Sequence, residues 1–310
     1  MTGKHEMKIV VLGSGAMGSL FGGYLSRNNS VWVVDLDKTK VDAINTQGVR
    51  ILEKNGDVVL YPKAVMDTTG LGKMDLVIIF VKSLYSKDAL ESNKHLLDKN
   101  TYILSLQNGA GHEKLLRQYV KADHVIIGST KDNSSIIGPG YVNHGASSTT
   151  RFGLLEGDSA VLQDIADNFT SCGFATTVSD NVLHDIWAKL FINSSASTVT
   201  AILQCSMDFL AIDPYGWKLT EDLAREAVAV ANAAGQDFNA DRIVAEIRAL
   251  AESSRNAYTS IYVDIRDGRK CEVDTISGYV VSEAKRLNVP APKQEFAVDT
   301  IHAMENKARA

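Results

Sequence analysis

From residue 8 the chain repeats one rhythm: a short unbroken apolar run, then a stretch with apolar residues at helical spacing. "KIVVLG" (8–13), "VWVVD" (31–35), "DLVIIFVKS" (75–83), "TYILSLQNG" (101–109) and "HVIIGST" (124–130) hold aliphatic residues without polar alternation. Such runs belong to strands buried on both faces, as in a parallel sheet covered by helices. "GSLFGGYLSRN" (18–28) and "KTKVDAINTQG" (38–48) carry the helical period between them. The alternation predicts an α/β doubly wound domain over 7–180. Its later part, "GYVNHGASSTTRFG" (140–153) and "FATTVSD" (174–180), is rich in Thr, Ser and Gly and predicts less regular strands at the sheet's end. From 181 strand signals vanish. "KLTEDLAREAVAVANAAG" (218–235), "DRIVAEIRALAESS" (241–254), "EVDTISGYVVSEAKRLN" (272–288) and "KQEFAVDTIHAMENKA" (293–308) all read as helices, so 181–310 is predicted as an all-helical domain.

Composition narrows the class. Two domains suit 310 residues, and a chain of this length can bury a core without disulfide or metal staples. A net charge of −5 argues against a nucleic-acid partner, which asks for a basic face. Cys172, Cys205 and Cys271 match neither a zinc spacing nor a disulfide framework, so a reducing, cytoplasmic setting and no metal are expected. No apolar run approaches the ~18 residues of a membrane span. Residues 1–6 read as a polar leader, with the fold beginning at Met7.

"VLGSGAMGSLFGG" places Gly13-x-Gly15-x-x-Gly18 after a buried strand and at the opening of a helix. That context turns a common pattern into a dinucleotide fingerprint. Gly13 permits the tight turn, Gly15 lets backbone approach a pyrophosphate, and Gly18 lets the helix pack on the strand. The N–H groups opening the helix, at Ala16 and Met17, would hold the phosphates. Asp35 ends the second strand, 22 residues after Gly13, where an acid accepts hydrogen bonds from the ribose hydroxyls. It would repel a 2′-phosphate; no arginine stands beside it, and Lys38 is expected to be the nearest cation. NAD is therefore the expected cofactor. Lys82, at a strand end and able to reach a 2′-phosphate, keeps NADP as the alternative.

One helical stretch resists a bland reading. "WAKLFINSSASTVTAIL" (187–203) is fit for a core, yet Lys189, Asn193 and Ser197 recur every four residues. On an α-helix that spacing makes one polar stripe. A lysine in a partly dry pocket can donate to a ketone oxygen as it is reduced, because desolvation brings its pKa toward the working pH. The competing reading is a lysine snorkelling from a Ser/Thr-rich packing face.

"KIVVLGSGAMGSLFGGYL", "LSLQNGAGHEKL", "WAKLFINSSASTVTAIL" and "CEVDTISGYVV" stand in the order and spacing of the ketopantoate reductase family (2-dehydropantoate 2-reductases), which this chain resembles from Met7 to about residue 305. The resemblance implies an N-terminal Rossmann domain, a helical second domain, and nicotinamide-dependent reduction of a 2-oxo acid to a D-2-hydroxy acid. It implies that Lys189 is the catalytic lysine and that Glu272 supports it and the substrate. It further implies that Asn193 contacts substrate, that Ser260 binds the substrate carboxylate, and that Asn108 bridges cofactor and substrate. Two positions depart from the family pattern. Ser197 stands where a second asparagine is usual, towards the substrate's far end. Asp35-Leu36 stands where NADP-dependent members usually carry an arginine. Both features also fit the family's NAD-dependent D-2-hydroxyacid (D-mandelate-type) dehydrogenases, which act on bulky or aromatic 2-oxo acids. The expected partner is thus a small 2-oxo acid, with a homodimer left open. Two other readings compete: a non-catalytic dinucleotide sensor, which has no need of Lys189 with Glu272, and a β-hydroxyacid dehydrogenase, which lacks the Q-N-G and E-x-D segments. His184 has no carboxylate at a telling spacing and stays outside the site.

Overall fold

A computed structural model describes residues 6–146 and 148–309. Apart from Glu6, the polar leader lies outside the described residues. The chain divides into two compact units. One runs to Gln107 and resumes from His112 to Asp185; the other comprises Asn108–Gly111 and the chain from Ile186 onward.

The first unit has twelve strands: β1 (Lys8–Leu12), β2 (Ser30–Val34), β3 (Val49–Glu53), β4 (Gly56–Leu60), β5 (Lys63–Val65), β6 (Leu76–Ile79), β7 (Tyr102–Ser105), β8 (Val125–Thr130), β9 (Asn133–Gly138), β10 (Tyr141–Ala146), β11 (Thr149–Leu154) and β12 (Ala175–Val178). Eight form one sheet in the order β12-β11-β8-β7-β6-β1-β2-β5. From β5 to β8 every pairing is parallel. Read from β5, that is the 3-2-1-4-5-6 order of a Rossmann fold, with the reversal between β1 and β6. The apolar runs become its central strands because both faces are covered: Ile9, Val10, Val11, Leu76, Ile78 and Leu104 are fully or almost fully buried. The Thr-rich segment adds β11, antiparallel to β8, and then β12.

A second sheet, β4-β3-β10-β9, was not foreseen. Lys54-Asn55 turns β3 into β4, and β10 joins β3 rather than the main sheet. This sheet explains why the helix Ala16–Leu25 is buried from Gly18 to Leu25. A Cβ on Gly22 would meet Val33 of the main sheet at 2.5 Å, while one on Gly23 would meet Val49 and Ile51 of the second at 3.3 Å. The glycine pair lets one helix pack closely against both layers.

Among its described residues the second unit has helices joined by loops and no strand. Pro214–Ala233 opens with Asp213 accepting from the N–H groups of Tyr215 and Gly216. It packs against Ser277–Leu287 and Pro292–Lys307. The segment 272–288 is not one helix. Val273–Thr275 makes a single tight turn, Ile276 breaks the path at φ −101°, ψ −95°, and Ser277–Leu287 follows. The cause is a contact from elsewhere in the chain: the Thr275 carbonyl accepts from the Ala110 N–H at 2.9 Å instead of serving a continuing helix.

Candidate active site

In the α/β unit the glycine loop has the geometry its sequence requires. Gly13 has φ +102°, and a Cβ there would meet the Val81 nitrogen at 2.8 Å. A Cβ on Gly18 would fall 1.8 Å from the Gly13 carbonyl oxygen. Both glycines are thus explained by the protein's own packing. Gly15 is not: a Cβ there would meet nothing within 4 Å. Gly15, Ala16 and Met17 keep part of their surface while the helix behind them is buried. With no side-chain cap and no acid in the first turn, the helix offers free N–H groups and the positive end of its dipole. That is the chemistry a dinucleotide pyrophosphate needs.

Asp35 is held from both sides. Its Oδ2 accepts from the Ser14 N–H at 3.0 Å and the Ser14 hydroxyl at 2.5 Å, and its Oδ1 from the Asp37 N–H at 3.0 Å. Burial pulls the carboxyl's pKa upward, but these donors and the Lys40 ammonium outweigh it, so the group sits below its ordinary range. The nearest cation in space is Lys40, 3.3 Å from Oδ2, not Lys38, which pairs with Asp42 at 2.6 Å. Helix winding explains the correction: at the first helical position Lys38 reaches one turn forward to Asp42. Lys82 is part-buried just after β6. Gln107 of the Q-N-G block donates to the Val81 carbonyl at 2.6 Å and to the Ser86 hydroxyl at 2.8 Å. It thereby braces the turn on which Gly13 rests.

In the helical unit, the lysine helix is not α-helical throughout. Val182–Ile192 is an α-helix, Asn193–Ser197 is a π-turn, and Thr198–Leu203 resumes the α-helix. Four residues no longer make one α-turn between Asn193 and Ser197, so the straight stripe ends at Asn193. The Ser/Thr content now has a reason. Carbonyls displaced from the α ladder need other donors. Asn193 O accepts from the Thr198 hydroxyl at 3.0 Å; Ser194 O from the Ser277 hydroxyl at 3.4 Å and the Gln294 amide at 3.1 Å; Ser197 O from the Thr200 hydroxyl at 2.8 Å and the Thr259 hydroxyl at 3.4 Å. Short polar residues hold a widened turn that follows Lys189 in the chain and packs against Pro214–Ala233. Such turns recur at functional sites.

Lys189 is part-buried. Desolvation lowers its pKa to about 8, against the opposing pull of the Glu272 carboxylate. Glu272 immediately precedes the tight turn Val273–Thr275. That turn is tied down on three sides. Glu305 accepts from the Cys271 N–H at 2.8 Å, His302 Nε2 lies 3.0 Å from Asp274, and the Thr275 carbonyl holds Ala110. The Thr275 hydroxyl also donates to the Asn108 carbonyl at 3.3 Å. Gly109, at φ +90°, lies against Thr275 so closely that a Cβ would sit 2.2 Å from its carbonyl oxygen. Thr275 therefore joins the Asn108 loop to the Glu272 segment, a role sequence reasoning missed. Asn193 is part-buried, Ser197 is 6% exposed, and Ser260 is exposed at the first position of the helix Ser260–Arg266. A desolvated lysine opposed by one carboxylate can donate a proton or a strong hydrogen bond to an oxygen near neutral pH.

The family model for ketopantoate reductase PanE/ApbA matches residues 9–157, and the model for its C-terminal region matches 181–305. A 2-dehydropantoate 2-reductase of Pyrococcus abyssi is 32% identical over 290 residues, covering 92% of this chain and 94% of that protein. One from Streptococcus pyogenes serotype M1 is 27% identical, covering 96% and 98%. Among solved structures, D-mandelate dehydrogenase with NADH and anilino(oxo)acetate superposes with a TM-score of 0.92 at 27% identity, covering 98% of this chain and 100% of that one. The 2-dehydropantoate 2-reductase of Geobacter metallireducens gives 0.89 at 26%, covering 95% and 99%. No helix among the described residues is long and apolar enough to cross a membrane. With its two family segments matched in order and its length spanned by these relatives, the chain belongs to the ketopantoate reductase family, whose chemistry is the nicotinamide-dependent reduction of a 2-oxo acid.

Proposed function

We propose that this protein uses NADH in preference to NADPH to reduce a bulky 2-oxo acid to the D-2-hydroxy acid. The observation that carries the cofactor half is the Asp35 carboxylate, pinned through both oxygens and held charged at the end of β2. Ser14 and Lys40 crowd Oδ2, but Oδ1 accepts from the Asp37 N–H and keeps a second lone pair for a ribose hydroxyl, whereas a 2′-phosphate meets like charge. The glycine loop and the N–H groups of Ala16 and Met17 take the pyrophosphate, with Lys82 as a further cationic contact. When bound, the nicotinamide supplies the reducing equivalent to the substrate's carbonyl carbon. Lys189 donates to the carbonyl oxygen and stabilises the developing alkoxide; Glu272 keeps that lysine protonated. Asn193 and Ser260 hold the substrate, Ser260 at its carboxylate, and Asn108 touches cofactor and substrate. D-mandelate dehydrogenase, solved with NADH, supports this reading. The relatives named 2-dehydropantoate 2-reductase favour a second one, ketopantoate as substrate.

A steady-state screen of NADH and NADPH against ketopantoate, phenylglyoxylate, phenylpyruvate and pyruvate separates the two. We expect higher kcat/KM with NADH and with phenylglyoxylate; a clear preference for NADPH sinks the cofactor reading, and one for ketopantoate sinks the substrate reading. Asp35→Ala should cost NADH about 10- to 100-fold in kcat/KM, the worth of charge-assisted hydrogen bonds, and narrow the gap to NADPH. Ser197→Asn tests the substrate's far end. A longer amide offers a hydrogen bond to a distal hydroxyl and fills space, so the ketopantoate-to-phenylglyoxylate ratio should rise by about 1–3 kcal/mol. An unchanged ratio removes Ser197 from the pocket.

A further inference from the structure

We propose that Lys40 sets how strictly the cofactor site discriminates a 2′-phosphate from a free 2′-hydroxyl, by partly cancelling the charge of Asp35. The inference rests on the reading of Asp35 as the ribose-binding acid. Lys40 Nζ lies 3.3 Å from Asp35 Oδ2, with the lysine side chain 31% exposed and the aspartate side chain 15%. Asp35 is pinned by Ser14 and Asp37, so it cannot swing away from an arriving phosphate. Its neighbours along the chain leave the compensation to Lys40. Leu36 is 85% exposed and uncharged, and Lys38 is engaged by Asp42. An ammonium has three N–H donors. Lys40 can therefore keep one on Asp35 and turn another to a 2′-phosphate oxygen, bridging two anions that would otherwise repel. A free ribose hydroxyl needs no such bridge. Lys40 thus makes the preference for NADH a graded one. Without it, Asp35 faces a 2′-phosphate with its own paired cation gone, and removing this cation should sharpen NADH selectivity.

The experiment is equilibrium titration of NADH, NADPH, 5′-AMP and adenosine 2′,5′-bisphosphate into wild type, Lys40→Met and Lys40→Arg at two salt concentrations. Lys40→Met should weaken NADPH and the bisphosphate by about 3- to 30-fold, with a much smaller change for NADH and 5′-AMP. Salt should then weaken NADPH less in the variant than in wild type, since one charge contact is gone. Lys40→Arg keeps the charge and should restore NADPH binding. An unchanged NADPH-to-NADH ratio in Lys40→Met overturns the proposal. So does equal weakening of all four ligands, which would make Lys40 a brace for Asp35 only. Tighter binding of NADPH than NADH by wild type would instead overturn the NADH reading, and the ratio between variants would still decide the role of Lys40.

Discussion

Lys189→Ala lowers kcat for 2-oxo acid reduction by about 10²–10⁴-fold, the usual span for a positioned acid or base, and leaves NADH affinity nearly unchanged. The size follows from what the lysine supplies. Its ammonium is desolvated, with a pKa of about 8, so it is charged at neutral pH at the cost of its hydration. A charge in such surroundings stabilises a developing alkoxide far better than one in water. Alanine removes both the donor and the charge. NADH affinity is spared because, in the proposed mechanism, Lys189 acts on the substrate oxygen and the cofactor's pyrophosphate and ribose are left to the glycine loop and Asp35. Single-turnover kinetics with bound NADH measure the loss directly. Near-normal turnover would return Lys189 to the role of a snorkelling side chain on a packing face.

Gly109→Ala loses about 2–4 kcal/mol of stability and most of the activity. Two effects act together. The residue has φ +90°, a region that L side chains occupy only with strain, and its Cβ would stand 2.2 Å from the Thr275 carbonyl oxygen. Neither atom is the end of a flexible side chain, so backbone must move. The backbone in question carries Asn108 on one side and the Glu272 segment on the other. Thermal unfolding reads the stability loss, and kcat/KM under conditions where the variant is folded reads the displacement. Gly72→Ala, with nothing within 4 Å of the added carbon and no positive φ, serves as the comparison and should leave both almost unaltered.

Much of the fold was legible because burial on both faces leaves an unmistakable mark. A strand such as β1 or β6 has no solvent side, so polar alternation disappears and the run is continuous. The glycine loop was legible because Gly18 is demanded by the Gly13 carbonyl just before it in the chain and Gly13 by its own positive φ. What escaped depends on contacts distant in sequence. The second sheet pairs β3 with β10, about ninety residues on, and no local pattern announces that partner. The break at Ile276 exists because Ala110 takes the Thr275 carbonyl, which 272–288 alone cannot reveal. The π-turn had a faint signal, the run of small polar residues from Asn193 to Ser197, but their donors come from Thr259, Ser277 and Gln294 elsewhere in the chain. Lys40 was passed over for Lys38 because closeness in sequence stood in for closeness in space. The residues of the candidate site in the helical unit became readable through family resemblance more than through spacing, since a lysine in an apolar helix has an ordinary explanation.

The coupling of Lys189 to Glu272 is the centre of the account, and the pH dependence of kcat/KM for reduction at saturating NADH tests it most directly. Reduction needs the protonated lysine, so wild-type kcat/KM should hold at low pH and fall as pH rises through about 8. Glu272 raises the lysine's pKa. In Glu272→Gln that pull is gone, and the falling limb should move to lower pH, with oxidation of the D-2-hydroxy acid gaining over the same range as the neutral lysine becomes the base. A limb at the same pH in both enzymes, or one that moves upward in Glu272→Gln, would contradict the account.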